Sequence, residues 1–213
     1  PEIILAVGIC VVLIVDLFVE ESKRWLTATI AGFSLIVAVL PLVTLAVIGD
    51  DTRSMFGGRY VVDEFSLIMK AMFLIIGYVV VLLSTNEIEE GGYHQGEYYV
   101  LLLASVLGMV MMTSARDLVS VFVAFEFLSI PTYMLAAWRK RDAKSNEAGA
   151  KYFLLGVFAS AIMLYGMSLL YGISSSTKLT DIGAYLAAHD TTGVIALAIV
   201  FIVVGFGFKV SAV

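Results

Sequence analysis

Cysteine and histidine are nearly absent from this sequence. The single cysteine, Cys10, lies in an apolar run, so there is no disulfide framework, no CxxC pair and no set of thiolates for iron–sulfur chemistry. The two histidines, His94 and His189, fall in polar connections. Neither has a second ligand four residues on, which argues against a metal site. Charge is scarce as well, with Asp, Glu, Lys and Arg making up 15% of 213 residues. Most of those charges sit in short clusters between long apolar runs. The net charge of −5 therefore says little about partners, and no basic stripe suggests nucleic acid. Also missing are a GxxxxGK[ST] loop and a dinucleotide fingerprint, so the sequence offers no energy source of its own.

Hydrocarbon fills the chain instead. Hydrophobic residues make up 61% and the mean hydropathy is +0.99. A water-exposed domain needs far more polar surface to cover its core, so this composition all but excludes one. About 20 apolar residues cross a hydrocarbon layer roughly 30 Å thick as a helix. Seven segments approach that length: Ile3–Val19, Trp25–Ile48, Tyr60–Ser84, Tyr98–Met112, Leu118–Trp138, Ala148–Tyr171 and Thr192–Val213. None alternates in and out as a barrel strand must, so the expectation is an all-α membrane protein of about seven transmembrane helices in one domain, 1–213. The connections carry turn chemistry at Gly49-Asp50-Asp51, Gly57-Gly58 and Gly91-Gly92. A weakly amphipathic stretch, Thr180–Ala188, reads as a short interfacial helix or loop. The first run has neither the basic lead nor the cleavage site of a secretory signal. The last ends at Val213 without a polar anchor, so the span is expected to continue in the natural protein.

Lysine and arginine set the orientation. Connections on the N-terminal side hold Arg53, Arg59, Arg116 and Lys178, whereas the opposite side holds Lys23, Arg24, Arg139, Lys140, Arg141 and Lys144. The expectation is a multi-pass plasma-membrane protein with its N-terminus outside.

Ionisable groups at bilayer depth are costly, so each is a functional candidate with an expected partner. Glu126 sits about 12 Å into the fifth span at roughly 1.5 Å per residue, near the midplane. A carboxyl there is poised between a neutral state favoured by desolvation and an ionised state favoured by a cation, as a proton relay requires; the alternative is a carboxyl that only fixes packing. Pro131, five residues on, kinks the helix or leaves a wet region beside Glu126. Lys209 lies deep in the last span among Gly205 and Gly207, where a helix that loosens would expose carbonyls; its alternative is snorkelling to the surface. Lys151, about a turn into the sixth span, fits either role. Lys70 shares a helical face with Asp63, and a stabilising pair or an interfacial lysine is the economical account. Asp16 reads as interfacial. Opposite buried charges cost less together than apart, which favours Glu126 and Lys209 lying close, but periodicity does not show whether they meet.

The stretches Phe125-Glu126-Phe127-Leu128-Ser129-Ile130-Pro131-Thr132-Tyr133 and Glu147-Ala148-Gly149-Ala150-Lys151-Tyr152-Phe153-Leu154-Leu155-Gly156 closely resemble subunit N of bacterial complex I, as does the terminal Gly205-Phe206-Gly207-Phe208-Lys209. Asp63-Glu64-Phe65 through Lys70 resembles the family's third helix. The resemblance implies an antiporter-like fold of about fourteen helices, of which this chain would hold the first seven. It further implies that Glu126, Lys209 and Lys151 take the family's proton-path positions. No cofactor is implied in this chain; NADH, FMN, iron–sulfur clusters and quinone would belong to partner subunits, and the partners are other membrane-arm subunits and the bilayer. The rival readings are a subunit of a multisubunit sodium/proton antiporter or membrane-bound hydrogenase and, from another class, a non-transporting membrane scaffold.

Overall fold

A computed structural model describes residues 1–19, 25–48, 52–90, 95–190 and 192–210. Among these are eight α-helices: α1 (Glu2–Phe18), α2 (Trp25–Ile48), α3 (Glu64–Glu90), α4 (Gln95–Ser114), α5 (Leu118–Ala136), α6 (Ala143–Ser174), α7 (Leu179–Ala188) and α8 (Gly193–Lys209). Helices α2 to α6 are long and apolar enough to cross a membrane. Helices α1 and α8 are apolar and 17 residues each. The fold is all-α and polytopic, with one small β feature between α2 and α3.

That feature corrects the sequence reading. Tyr60–Val62 does not open the third span; it is a strand, β2, paired antiparallel with β1 (Arg53–Met55). The reversal between them runs through Phe56, Gly57 and Gly58, all with positive φ (53°, 66° and 88°), and the glycines are what allow it. Helix α3 then starts at a reciprocal cap. The Ser66 amide donates to Asp63 Oδ1 (2.8 Å), while the Asp63 amide donates to Ser66 Oγ (2.9 Å). Helix α6 starts earlier than expected, at Ala143, because Asp142 caps it by accepting from the Lys144 amide. Asp117 does the same for α5, accepting from the Val119 and Ser120 amides. The Gly49-Asp50-Asp51 and Gly91-Gly92 turns lie outside the described residues.

Two hydrophobic clusters organise the bundle. One is built by α1 to α4 around Leu5, Leu35, Leu74 and Leu103. The other is built by α5 to α8 around Phe125, Met163, Met167 and Ala198. The join is α4 against α5, and it depends on Gly108, where a side-chain carbon would lie 2.5 Å from the Leu128 amide nitrogen. In lipid, helices associate through close packing of small residues of this kind. Helix α8 meets α6 in the same way. A carbon on Gly205 would meet Met163 Cβ at 2.4 Å and the Ala159 carbonyl at 3.1 Å. Gly205 and Gly207 lie within regular helix, so the expected loosening is not seen; Gly205 instead makes close contact with α6, while Gly207 faces open space. Pro131 likewise sits within α5, where Ser129 and Thr132 hydroxyls bond to the Phe125 and Ser129 carbonyls (2.5 and 2.7 Å).

The α4–α5 contact yields a stability prediction. Gly108→Ala forces backbone against backbone and should destabilise the detergent-solubilised protein by about 1–3 kcal/mol in thermal unfolding. Gly172→Ala meets no atom within 4 Å and should leave the melting temperature unchanged or raise it.

Candidate functional site

Lys209 is the last residue of α8, about 24 Å along the axis from Gly193 at roughly 1.5 Å per residue. Its ammonium donates to the Tyr133 hydroxyl at 2.9 Å. Aromatic rings supply the rest of its surroundings. The ring centroids of Tyr133, Phe125, Tyr152 and Phe208 lie 4.5, 5.2, 5.5 and 5.8 Å from Nζ. Ring faces attract a cation that has lost part of its water, so three helices hold this charge without a carboxylate touching it. Tyr133 is 3% exposed and meets Tyr152 edge to face at 4.7 Å. Gly156 on α6 makes the space, for a carbon there would lie 2.2 Å from the Tyr133 hydroxyl oxygen.

Glu126 is half-buried on α5, with Oε1 fully enclosed and without a hydrogen-bond partner. Beside it, a cavity of about 300 Å³ is lined by Phe122, Val123, Phe127, Ile130 and Pro131. No ion pair within 4 Å joins it to Lys209, whose ammonium lies against the ring of Phe125, the residue before Glu126, and donates to the Tyr133 hydroxyl. Glu126 is nevertheless near enough for its charge to act on both Tyr133 and Lys209. Lys151 stands apart from this group. It pairs with Glu147 one turn earlier on α6, and both side chains are exposed.

Lys70 is buried, 1% exposed, where Lys209 is half-buried, and its partner is not Asp63. Its ammonium lies 2.7 Å from Glu2 Oε1, and the Tyr60 hydroxyl donates to the same oxygen at 2.6 Å. Burial and the Glu2 carboxylate push the Tyr60 phenol above its ordinary range. Asp63 instead meets Arg116 at 3.0 Å, and Arg59 lies 3.7 Å from Asp117. The Ser66 amide, helped by Arg116, holds the Asp63 carboxyl below its usual value. These pairs tie α1, the hairpin, α3 and the start of α5 at one end of the bundle. At the opposite end, Arg139 pairs with Glu87 and Lys140 with Glu97. Asp16 packs against Gly96 in the first turn of α4, where a carboxylate complements the helix dipole.

Sequence reasoning missed Glu2, Tyr60, Tyr133, Tyr152 and Gly156. Only Tyr133 left a signal, being seven residues from Glu126 and so on the same helical face. The others come from distant segments.

Charges inside a bundle of apolar helices define a polytopic membrane protein. The family model for the NADH:quinone oxidoreductase/Mrp antiporter transmembrane region matches residues 115–213, which include Glu126, Lys151 and Lys209. NADH-quinone oxidoreductase subunit N of Thioalkalivibrio sulfidiphilus is 36% identical over 100% of this chain and 44% of its own length. The subunit N of Rhodospirillum rubrum is 37% identical with the same coverage. The chain thus spans under half the length of these curated relatives. A chain in the structure of respiratory complex I from Thermus thermophilus with bound aureothin superposes with a TM-score of 0.77 at 30% identity, over 98% of this chain and 43% of that one. A chain of an archaeal membrane-bound sulfane sulfur reductase shares the fold, with a TM-score of 0.83 at 18% identity over 96% of this chain and 42% of that one. Residues 115–213 thus match the antiporter-like NADH:quinone oxidoreductase/Mrp membrane family, and the chain along its whole length is similar to the first part of subunit N.

Two predictions follow from the ion pairs. Glu2→Ala strands the Lys70 ammonium and should lower unfolding free energy by about 3–5 kcal/mol, most of which returns when Lys70→Met is added. Asp63 has a depressed pKa when folded, so its contribution is present above the unfolded value and lost as pH falls below about 4. Melting temperature measured down that range should fall less steeply in Asp63→Asn than in the unsubstituted protein.

Proposed function

We propose that this chain forms the first seven spans of a proton-translocating, antiporter-like membrane subunit of an NADH:quinone oxidoreductase in a bacterial plasma membrane. Glu126, Lys209 and Lys151 carry the proton path, and the N-terminus lies outside. The observation that carries this reading is a lysine held among rings, without a carboxylate in contact, on a span that shares its bundle with a half-buried glutamate. An ammonium locked into a close ion pair is hard to discharge. One whose charged form rests on ring faces and a single hydroxyl can gain or lose a proton with modest driving.

Moving a charge against the membrane potential costs roughly 2.3 kcal/mol per 100 mV. That energy comes from partner subunits, which hold NADH, FMN, iron–sulfur clusters and quinone and pass the effect of electron transfer along the membrane arm. A change in the charge or position of Glu126 alters the field at Lys209, and the lysine takes up or releases a proton in response. Lys151, exposed on α6 and paired only with Glu147, is placed to continue the path toward the helices that complete the subunit. The subunit N relatives favour the quinone-linked enzyme over a sodium/proton antiporter or hydrogenase subunit.

In the full-length subunit within its assembled complex, Glu126→Ala and Lys209→Ala should each reduce proton pumping in proteoliposomes by about tenfold or more. NADH oxidation by the peripheral arm should persist. Full pumping in both variants would reject the relay and favour a scaffold whose buried charges fix helix register.

A further inference from the structure

Glu126 makes no ion pair with Lys209, so a proton does not pass between them directly. Something must join them. Tyr133 is buried, 3% exposed, and its Oη accepts from Lys209 Nζ at 2.9 Å. Ser129 lies one turn before Tyr133 on α5, and Ser160 one turn past Gly156 on α6, the residue that meets that hydroxyl. Ser129 is fully buried, and its proton is committed to the Phe125 carbonyl at 2.5 Å. Ser160 is 5% exposed, and its Oγ has no hydrogen-bond partner. An uncommitted buried hydroxyl is a costly feature, and here it stands next to the one oxygen that touches the lysine.

We infer that Tyr133 is a positioning residue of the relay, its hydroxyl holding the Lys209 ammonium and, with the Ser160 hydroxyl, linking it to Glu126. This inference rests on the proposed proton relay. Three features argue that the hydroxyl itself is needed. The ring alone would hold the cation by its face, as Phe125 and Phe208 do. The oxygen is set by Gly156, the residue type that leaves room for it. And a hydroxyl both accepts and donates, so it can accept from the ammonium and donate to the free amine without moving away. The proton balance is this: as the ammonium gives a proton to the Tyr133 oxygen, the Tyr133 hydroxyl proton passes to the Ser160 oxygen and the Ser160 proton to the Glu126 carboxylate, and the Tyr133 O–H then turns to donate to the amine lone pair. The titratable groups facing Lys209 are Tyr133 and Glu126 on α5 and Tyr152 on α6.

The test uses the full-length subunit in its assembled complex, with pumping per NADH measured from pH 6 to 10 for Tyr133→Phe, Ser160→Ala, Glu126→Ala and Lys209→Ala. Tyr133→Phe keeps the ring and removes one acceptor from the charged amine. The alkaline limb of its profile should move toward neutral pH by about one unit, the size of one lost hydrogen bond to a charged group. Ser160→Ala should move it the same way by less. A merely structural role would lower pumping evenly without moving the limb. Loss of pumping in Glu126→Ala and Lys209→Ala, with unshifted profiles in Tyr133→Phe and Ser160→Ala, overturns this inference and leaves the relay standing. Undiminished pumping in Glu126→Ala and Lys209→Ala removes the relay itself. Should Tyr133→Phe fail to assemble, the Ser160→Ala limb decides alone.

Discussion

The energetic cost of a cation away from water governs how this bundle is put together around Lys209. An ammonium in hydrocarbon must find other partners, and here they are the faces of aromatic rings and one phenolic oxygen. Those rings come from α5, α6 and α8, so the three helices can approach only in an arrangement that brings the rings together. Glycine makes that arrangement possible. Gly205 lets α8 lie against the α6 backbone, and Gly156 lets the Tyr133 hydroxyl reach the lysine. Without a hydrophobic force between helices in lipid, such close approaches supply the packing that holds the bundle together.

Two lysines, Lys70 buried and Lys209 half-buried, sit in opposite chemical circumstances. Lys70 is nearly inaccessible and touches the Glu2 carboxylate at 2.7 Å, with Tyr60 completing the group. The pair fastens α1 to α3 and the hairpin. Lys209 has ring faces and a phenolic oxygen around it and no carboxylate in contact. The same side chain is a rivet at one end of the bundle and, at the other, a charge held by rings and one hydroxyl.

The architecture was largely legible from hydropathy because bilayer thickness sets helix length, and the apolar runs at Trp25–Ile48 and Leu118–Ala136 left no alternative. The errors fell where polar caps overrode apolarity. Tyr60-Val61-Val62 is as hydrophobic as the helix that follows, yet the Asp63–Ser66 cap starts α3 after it, and the left-handed turn at Phe56–Gly58 folds it back as a strand. Glu126 and Lys209 stood out because charge in an apolar run is conspicuous in any linear reading. Glu2, Tyr152 and Gly156 did not, since a terminal glutamate, a tyrosine and a glycine are ordinary until a distant segment arrives beside them.

By itself the sequence determined that this is a helical membrane protein, how many apolar segments it has, and which charges lie at depth. Those properties are local: each follows from the composition of one segment measured against the thickness and dielectric of the bilayer. Only the tertiary structure decided which charges touch. It gave Lys70 to Glu2 instead of Asp63, left Glu126 without an ion pair to Lys209, and put Tyr133 against the ammonium. Contact between helices depends on their relative height and rotation, which close packing at a few glycines fixes and no single segment encodes.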